Sequence, residues 1–208
     1  MSTSLSLFDQ AGQLERIVLP DAELEFAEHF YPQAVADDLF QVLYEQSDWR
    51  HESIQLWGKS QLQPRFTAWH ADPGTRYSYS GITLRPAAWT STLLRIKHDI
   101  SAATGHQFNS VLLNLYRDQQ DSMGWHSDDE PELGRNPIIA SLSLGATRGF
   151  KLKHKTLKEQ KTLTLDLAHG SLLLMAGTMQ HHWQHAVAKQ TRSIGPRINL
   201  TFRQILAA

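Results

Sequence analysis

The chain has 208 residues, no cysteine and a formal net charge of −1, with 20 Lys and Arg against 21 Asp and Glu. That length suits one compact domain, and the missing thiols exclude disulfides, thiolate metal sites and cysteine nucleophiles. A near-zero charge excludes long-range attraction of nucleic acid, so any such binding rests on a local basic surface.

Residues 1–20 read as an irregular lead-in with no basic start or apolar stretch, so no signal peptide is expected. No apolar run reaches the length of a membrane span, and the expected location is intracellular, the cytoplasm of a bacterium or the nucleus of a eukaryote. From Pro32 to Gln46, Val35, Leu39, Val42 and Leu43 recur at helical spacing behind a starting proline. A second helix is predicted from Ala87 to Ala103, with Trp89, Leu93, Leu94, Ile96 and Ile100 on its apolar face and Gly105 as its stop. After residue 108 the pattern changes to strands: VLLNLYRD, PIIASLSLG, GFKLKH, KTLTLDLA, GSLLLMAG, HWQHAVA and RINLTFRQ. Many short strands behind a helical N-terminal part predict a mainly β (α+β) domain, a sandwich or barrel with flanking helices.

Within GWHSDDE, residues 124–130, His126 and Asp128 stand two apart, so on an extended segment both reach one ion while Asp129 points away. The cluster HHWQHAV offers a third ligand from His181, His182 or His185. Two histidines and one carboxylate on one face of a metal leave positions open, which suits non-haem iron(II). In PRINLTFRQ, alternation puts Arg197, Asn199, Thr201 and Arg203 on one face and Ile198, Leu200 and Phe202 on the other. Two guanidinium groups match the two ends of a dicarboxylate. Asn114 and Tyr116 of VLLNLYRD add neutral hydrogen-bonding partners on one face.

N-x-Y, H-S-D-D-E, H-W-x-H and P-R-x-N-L-T-F-R occur in the order and near the spacing of the AlkB dioxygenases. The chain resembles that family from Trp57 to Gln204, and most closely its animal members that repair duplex DNA. The resemblance implies a double-stranded β-helix (jelly-roll) over about 108–205, with a nucleotide-recognition lid over about 50–85, in one domain. It implies Fe(2+), with 2-oxoglutarate and O2 as co-substrates, and the H-W-x-H pattern selects His185 to join His126 and Asp128. Arg203 is implied to pair with the distal carboxylate of 2-oxoglutarate, with Arg197, Asn114, Tyr116 and Asn199 in support.

For the base, Tyr77 and Tyr79 ahead of Ser80 resemble the aromatic pair of the family's pocket, and Trp57 stands where relatives place a wedge. Arg65 is expected to reach the acids Asp129 or Glu130. The implied reaction is oxidative dealkylation of 1-methyladenine- or 3-methylcytosine-type lesions by a monomer that binds alkylated DNA and no membrane. The alternatives are the same chemistry on RNA or a protein side chain, and a non-catalytic jelly-roll that binds metal or nucleic acid. The basic run KLKHKTLKEQK, 151–161, suits phosphates, but the loop after His185 carries only Lys189 and Arg192, where the duplex-repair relatives are more basic.

Overall fold

The structure is a computed structural model that describes residues 12–206, apart from 57–58, 76, 80–81 and 85. In chain order, β1 (Glu15–Leu19) and β2 (Ala22–Ala27) form a hairpin, followed by α1 (Gln33–Gln46). Then come the short pair β3 (Ser53–Leu56) and β4 (Lys59–Leu62), β5 (Phe66–Ala71), the pair β6 (Tyr77–Tyr79) and β7 (Ile82–Leu84), and α2 (Ser91–Thr104). The remainder is strands: β8 (Ser110–Tyr116), β9 (Met123–His126), β10 (Ile139–Gly145), β11 (Arg148–His154), β12 (Leu163–Leu167) and β13 (Ser171–Ala176). A four-residue helix α3 (Met179–His182) precedes β14 (Trp183–Val187) and β15 (Arg197–Arg203).

Beside the two short pairs, the described residues form a large antiparallel sheet in the order β1-β2-β13-β10-β15-β8-β5 and a small one in the order β12-β11-β14-β9. Ile198, Leu200 and Phe202 pack with Leu39, Leu43, Ile96 and Ile100, so α1 and α2 cover the outer face of the large sheet. Its inner face meets the small sheet through Tyr116, Ile139, Leu173 and Met175 on one side and Phe150, Leu152, Trp183 and Val187 on the other. This is the jelly-roll that the resemblance implies. Burial on both faces explains why β8 and β15 are buried along their whole length.

Three departures from expectation have physical reasons. The lead-in contains a hairpin, β1–β2, closed by Pro20-Asp21 with Asp21 at φ 53, a left-handed position that Asp tolerates. That turn lacks the Asn-Gly or Asp-Gly signature, and charged residues break the alternation around it. The second helix starts at Ser91, because the Thr90 side chain accepts the Leu93 N–H at 3.2 Å and Ala87 is drawn into a bridge with His70. Lastly, β5 pairs along its length with β8, and β1 and β2 extend the same sheet. The large sheet therefore recruits strands from well before residue 108, β5 within the interval 50–85 among them.

Candidate active site

The two sheets converge on a cavity whose walls include Asn114, Tyr116, His126, Asp128, Phe150, His185, Arg197, Asn199, Thr201 and Arg203. His126 closes β9 and pairs directly with His185 on β14, which sets the two rings 4.1 Å apart. Asp128 follows two residues later and turns its carboxylate between them. His126 Nε2 lies 3.8 Å from Oδ1, and His185 Nε2 lies 4.0 Å from Oδ2. The three ligand atoms lie within 4.8 Å of one another. Nδ1 of His126 is 2.9 Å from the Gly124 carbonyl, an acceptor, so that nitrogen carries the proton and Nε2 keeps its lone pair for an ion. Phe150 stacks on the His185 ring at 5.1 Å and fixes its plane.

Electrostatics agree with a ligand role. Burial by itself raises the Asp128 carboxyl, but Arg203, His185 and His126 outweigh it and hold the group well below the usual carboxylate range. Burial, reinforced by His126, pushes His185 down to about 3, so its imidazole is neutral at pH 7 with a lone pair available. In the metal-free protein this has a stability consequence. The folded pKa of His185 lies below the unfolded value of about 6.5, so the unfolded chain binds more protons between those limits. Stability therefore falls as the pH drops through that window, and Asp128 adds a further loss below about pH 4. Melting curves of metal-free protein should show Tm falling from pH 7 to pH 5, with a shallower slope in His185→Gln; an equal slope contradicts the assignment.

His181 and His182 do not share a strand face with His185, because both lie in α3. His181 Nε2 meets Asn136 Oδ1 at 3.0 Å, and His182 lies beside His154 and Asp21. Asp21, His154 and His182 also come within 4.8 Å of one another. Nδ1 of His154, however, accepts the Leu157 N–H at 2.9 Å. Its proton must sit on Nε2, which donates to Asp21 Oδ2 at 3.2 Å and has no lone pair for an ion. Of the two clusters, the one at His126, Asp128 and His185 has the free donor set.

The far end of the cavity is cationic. Arg197 is 1% exposed, and Nη2 donates to Ser143 Oγ at 2.9 Å. Its Nε and Nη1 are buried with no hydrogen-bond partner. Burial, against the opposing pull of Tyr116, lowers its pKa only to about 10, so it is charged at neutral pH. Its guanidinium carbon lies 5.2 Å from the centre of the Tyr116 ring, and Arg148 approaches the same ring at 5.5 Å. Two bare N–H donors on a buried cation fit a carboxylate, and two imidazoles with one carboxylate fit iron(II).

Arg203 stands at the other end. Its Nη2 lies 3.0 Å from Asp128 Oδ1, at the metal ligands. Arg203, which the resemblance implies at the distal carboxylate of 2-oxoglutarate, thus lies beside the His126–Asp128–His185 cluster, and Arg197 lies at the other end of β15. Asn199 spends both amide hydrogens on Ser141 Oγ and Leu142 O, so it braces β10 against β15 rather than offering donors to the cavity. Arg65 Nε donates to Asn114 Oδ1 at 2.8 Å, and Asp129 has its ion pair with Lys155 at 3.8 Å. Tyr77 and Tyr79 lie on β6, paired with Leu84 and Ile82 of β7. Trp57 and Ser80 lie outside the described residues. Arg148 escaped the sequence reading. It binds the carbonyls of Asp118, Asp121 and Ala188 behind Tyr116, and a basic residue opening an apolar strand was its only signal.

The model of the 2OG-Fe(II) oxygenase superfamily matches residues 23–203. The chain belongs to that superfamily, in its AlkB-type branch. It is 46% identical over 178 residues to "Alpha-ketoglutarate-dependent dioxygenase alkB homolog 3" of Bos taurus, covering 82% of this chain and 62% of that protein. The chain thus spans less than two thirds of that relative's length. It is 40% identical over 185 residues to "DNA oxidative demethylase ALKBH2" of Homo sapiens, covering 85% of this chain and 71% of that protein. A solved structure titled "The structure of OsALKBH1" superposes with a TM-score of 0.65 at 18% identity, covering 91% of this chain and all of that one, which shows the shared fold. Iron(II) and 2-oxoglutarate are the groups this oxygenase superfamily uses with oxygen. Among the described residues, no helix is long and apolar enough to cross a membrane.

Proposed function

We propose that this protein removes alkyl groups from N-alkylated DNA bases by iron(II)- and 2-oxoglutarate-dependent oxidation. The observation that carries the reading is a single cavity with His126, Asp128 and His185 at one end and the bare N–H groups of Arg197 at the other. His126 Nε2, Asp128 and His185 Nε2 would hold the iron. Arg197 and Tyr116 would hold the distal carboxylate of 2-oxoglutarate, while Arg203 keeps Asp128 ionised and in place. Phe150, Met123, Met175 and Val187 wall the cavity with apolar surface that keeps water from the reacting groups.

When bound, iron and 2-oxoglutarate activate oxygen, with one oxygen atom leaving in succinate as carbon dioxide is lost and the other entering a C–H bond of the alkyl group. The resulting N–CH2–OH group breaks at its C–N bond: the hydroxyl gives up its proton to solvent, formaldehyde is released, and the electron pair of the C–N bond returns to the ring nitrogen as the lone pair of the restored, neutral base. A methylated adenine or cytosine carries positive charge, which suits the exposed carboxylate of Asp129 beside the ligands. Relatives named as DNA demethylases support DNA as the substrate. The two basic residues of the loop at 188–196, Lys189 and Arg192, support a preference for unpaired strands.

Oligonucleotides carrying one 1-methyladenine, as single-stranded DNA, duplex DNA and RNA, test this by mass spectrometry of the base. Restored adenine is expected fastest in single-stranded DNA. Conversion of 2-oxoglutarate to succinate with every methylated strand unchanged would exclude the base as the target.

A further inference from the structure

The ligand segment is clipped to the corner where α3 meets β14. Gln180 is 1% exposed, and its Oε1 accepts the backbone N–H of Asp128 at 3.0 Å across 52 residues of sequence. Its Nε2 faces the Met175 sulfur at 3.8 Å, and its own carbonyl accepts Lys155 Nζ at 2.9 Å. One residue earlier, Ser127 Oγ donates to the Trp183 carbonyl at 2.8 Å. The rest of the corner is apolar, with Met175, Met179 and Trp183 all buried, so packing alone would be served by Met or Leu at position 180.

What the amide adds is an acceptor where one is needed. Asp128 lies beyond the end of β9, and no strand partner takes its N–H. A buried N–H without an acceptor is costly, so in the absence of Oε1 the peptide would turn to find one and carry the carboxylate with it. That orientation also decides which of two consecutive acids faces the cavity. The Asp128 side chain is 2% exposed at the ligand cluster, whereas that of Asp129 is 56% exposed and directed to Lys155.

We propose that Gln180 is a positioning residue for the metal site, which sets the Asp128 peptide so that Asp128, and not Asp129, completes the triad. Lys155 ties the outer acid to the same corner through its bond to the Gln180 carbonyl. The inference rests on the triad being the metal site, and the test separates the two.

Mn(II) binding to metal-free protein, followed by the loss of the free-ion EPR signal, reads the effect without turnover. Gln180→Met is expected to weaken Mn(II) about 10- to 100-fold, the range for residues that orient a metal ligand, with unchanged far-UV circular dichroism. Gln180→Glu, which retains an acceptor oxygen, is expected to recover most of that affinity. Wild-type affinity in Gln180→Met, or equal losses in both variants, overturns the positioning role alone. Failure of the wild type to bind Mn(II) overturns the triad as well. Hydrogen exchange in the wild type adds a measurement that needs no variant: the Asp128 amide should exchange at least about tenfold more slowly than that of Asp129, and equal rates overturn the proposal.

Discussion

Asp128→Ala is expected to abolish metal binding and, separately, to destabilise the metal-free protein by about 3–5 kcal/mol. The first effect follows from its place between His126 Nε2 and His185 Nε2. The second follows from its ion pair with Arg203 at 3.0 Å, where both side chains are almost wholly buried, 2% and 6% exposed. Removing one member of such a pair leaves a desolvated charge opposite an empty space, whereas removing both is often nearly neutral. Adding Arg203→Met to Asp128→Ala should therefore recover much of the lost stability and none of the metal affinity. Thermal melts and Mn(II) titrations of the two single variants and the double variant measure both. A double variant as unstable as the sum of the singles would show that the pair is not coupled.

Arg197→Met should give the second large effect, at the opposite end of the cavity. A carboxylate seated on its Nε and Nη1 gains charge-assisted hydrogen bonds in a buried setting, and losing such a partner costs about 2–5 kcal/mol. The KM for 2-oxoglutarate is expected to rise about 30-fold or more, with the Mn(II) affinity of metal-free protein unchanged. Arg197→Lys keeps the charge but loses the planar fork, so it should fall between the two. Stability separates a binding role from a structural one. Without co-substrate, two N–H groups of Arg197 are buried without partners, so Arg197→Met should melt no lower than the wild type. Adding 2-oxoglutarate to protein already saturated with Mn(II) should raise the wild-type Tm further and leave that of the variant where Mn(II) alone puts it. A variant that melts much lower and still binds 2-oxoglutarate would contradict the role.

Strand alternation carried much of this into the sequence. Arg197, Asn199, Thr201 and Arg203 share a face because side chains repeat every two residues, and the same period puts Asn114 and Tyr116 together. His126 and Asp128 were legible as a pair for the same reason. Alternation names a face but not the end of a strand that meets the opposite sheet, so it could not say that Arg203 rather than Arg197 lies beside the metal ligands. It also fails where the chain leaves strands. HHWQH reads as extended, with His181 on the His185 face and His182 opposite, yet Met179–His182 is a single helical turn, too short to show a helical period, and it takes His181 off the His185 face. Gln180 and Arg148 act on residues far away in sequence, Asp128 and the loop at 118–121, so nothing local marks them. The hairpin β1–β2 was hidden by an atypical turn and by charged residues on an edge strand, where alternation is weakest.

Succinate release by protein loaded with iron(II), with 2-oxoglutarate, ascorbate and a single strand carrying 1-methyladenine, tests the central claim most directly when formaldehyde is measured alongside. The wild type is expected to form both products, with formaldehyde dependent on the methyl group, and His126→Ala is expected to form neither. Absence of succinate from the wild type under every condition, or succinate that persists in His126→Ala, would contradict the account.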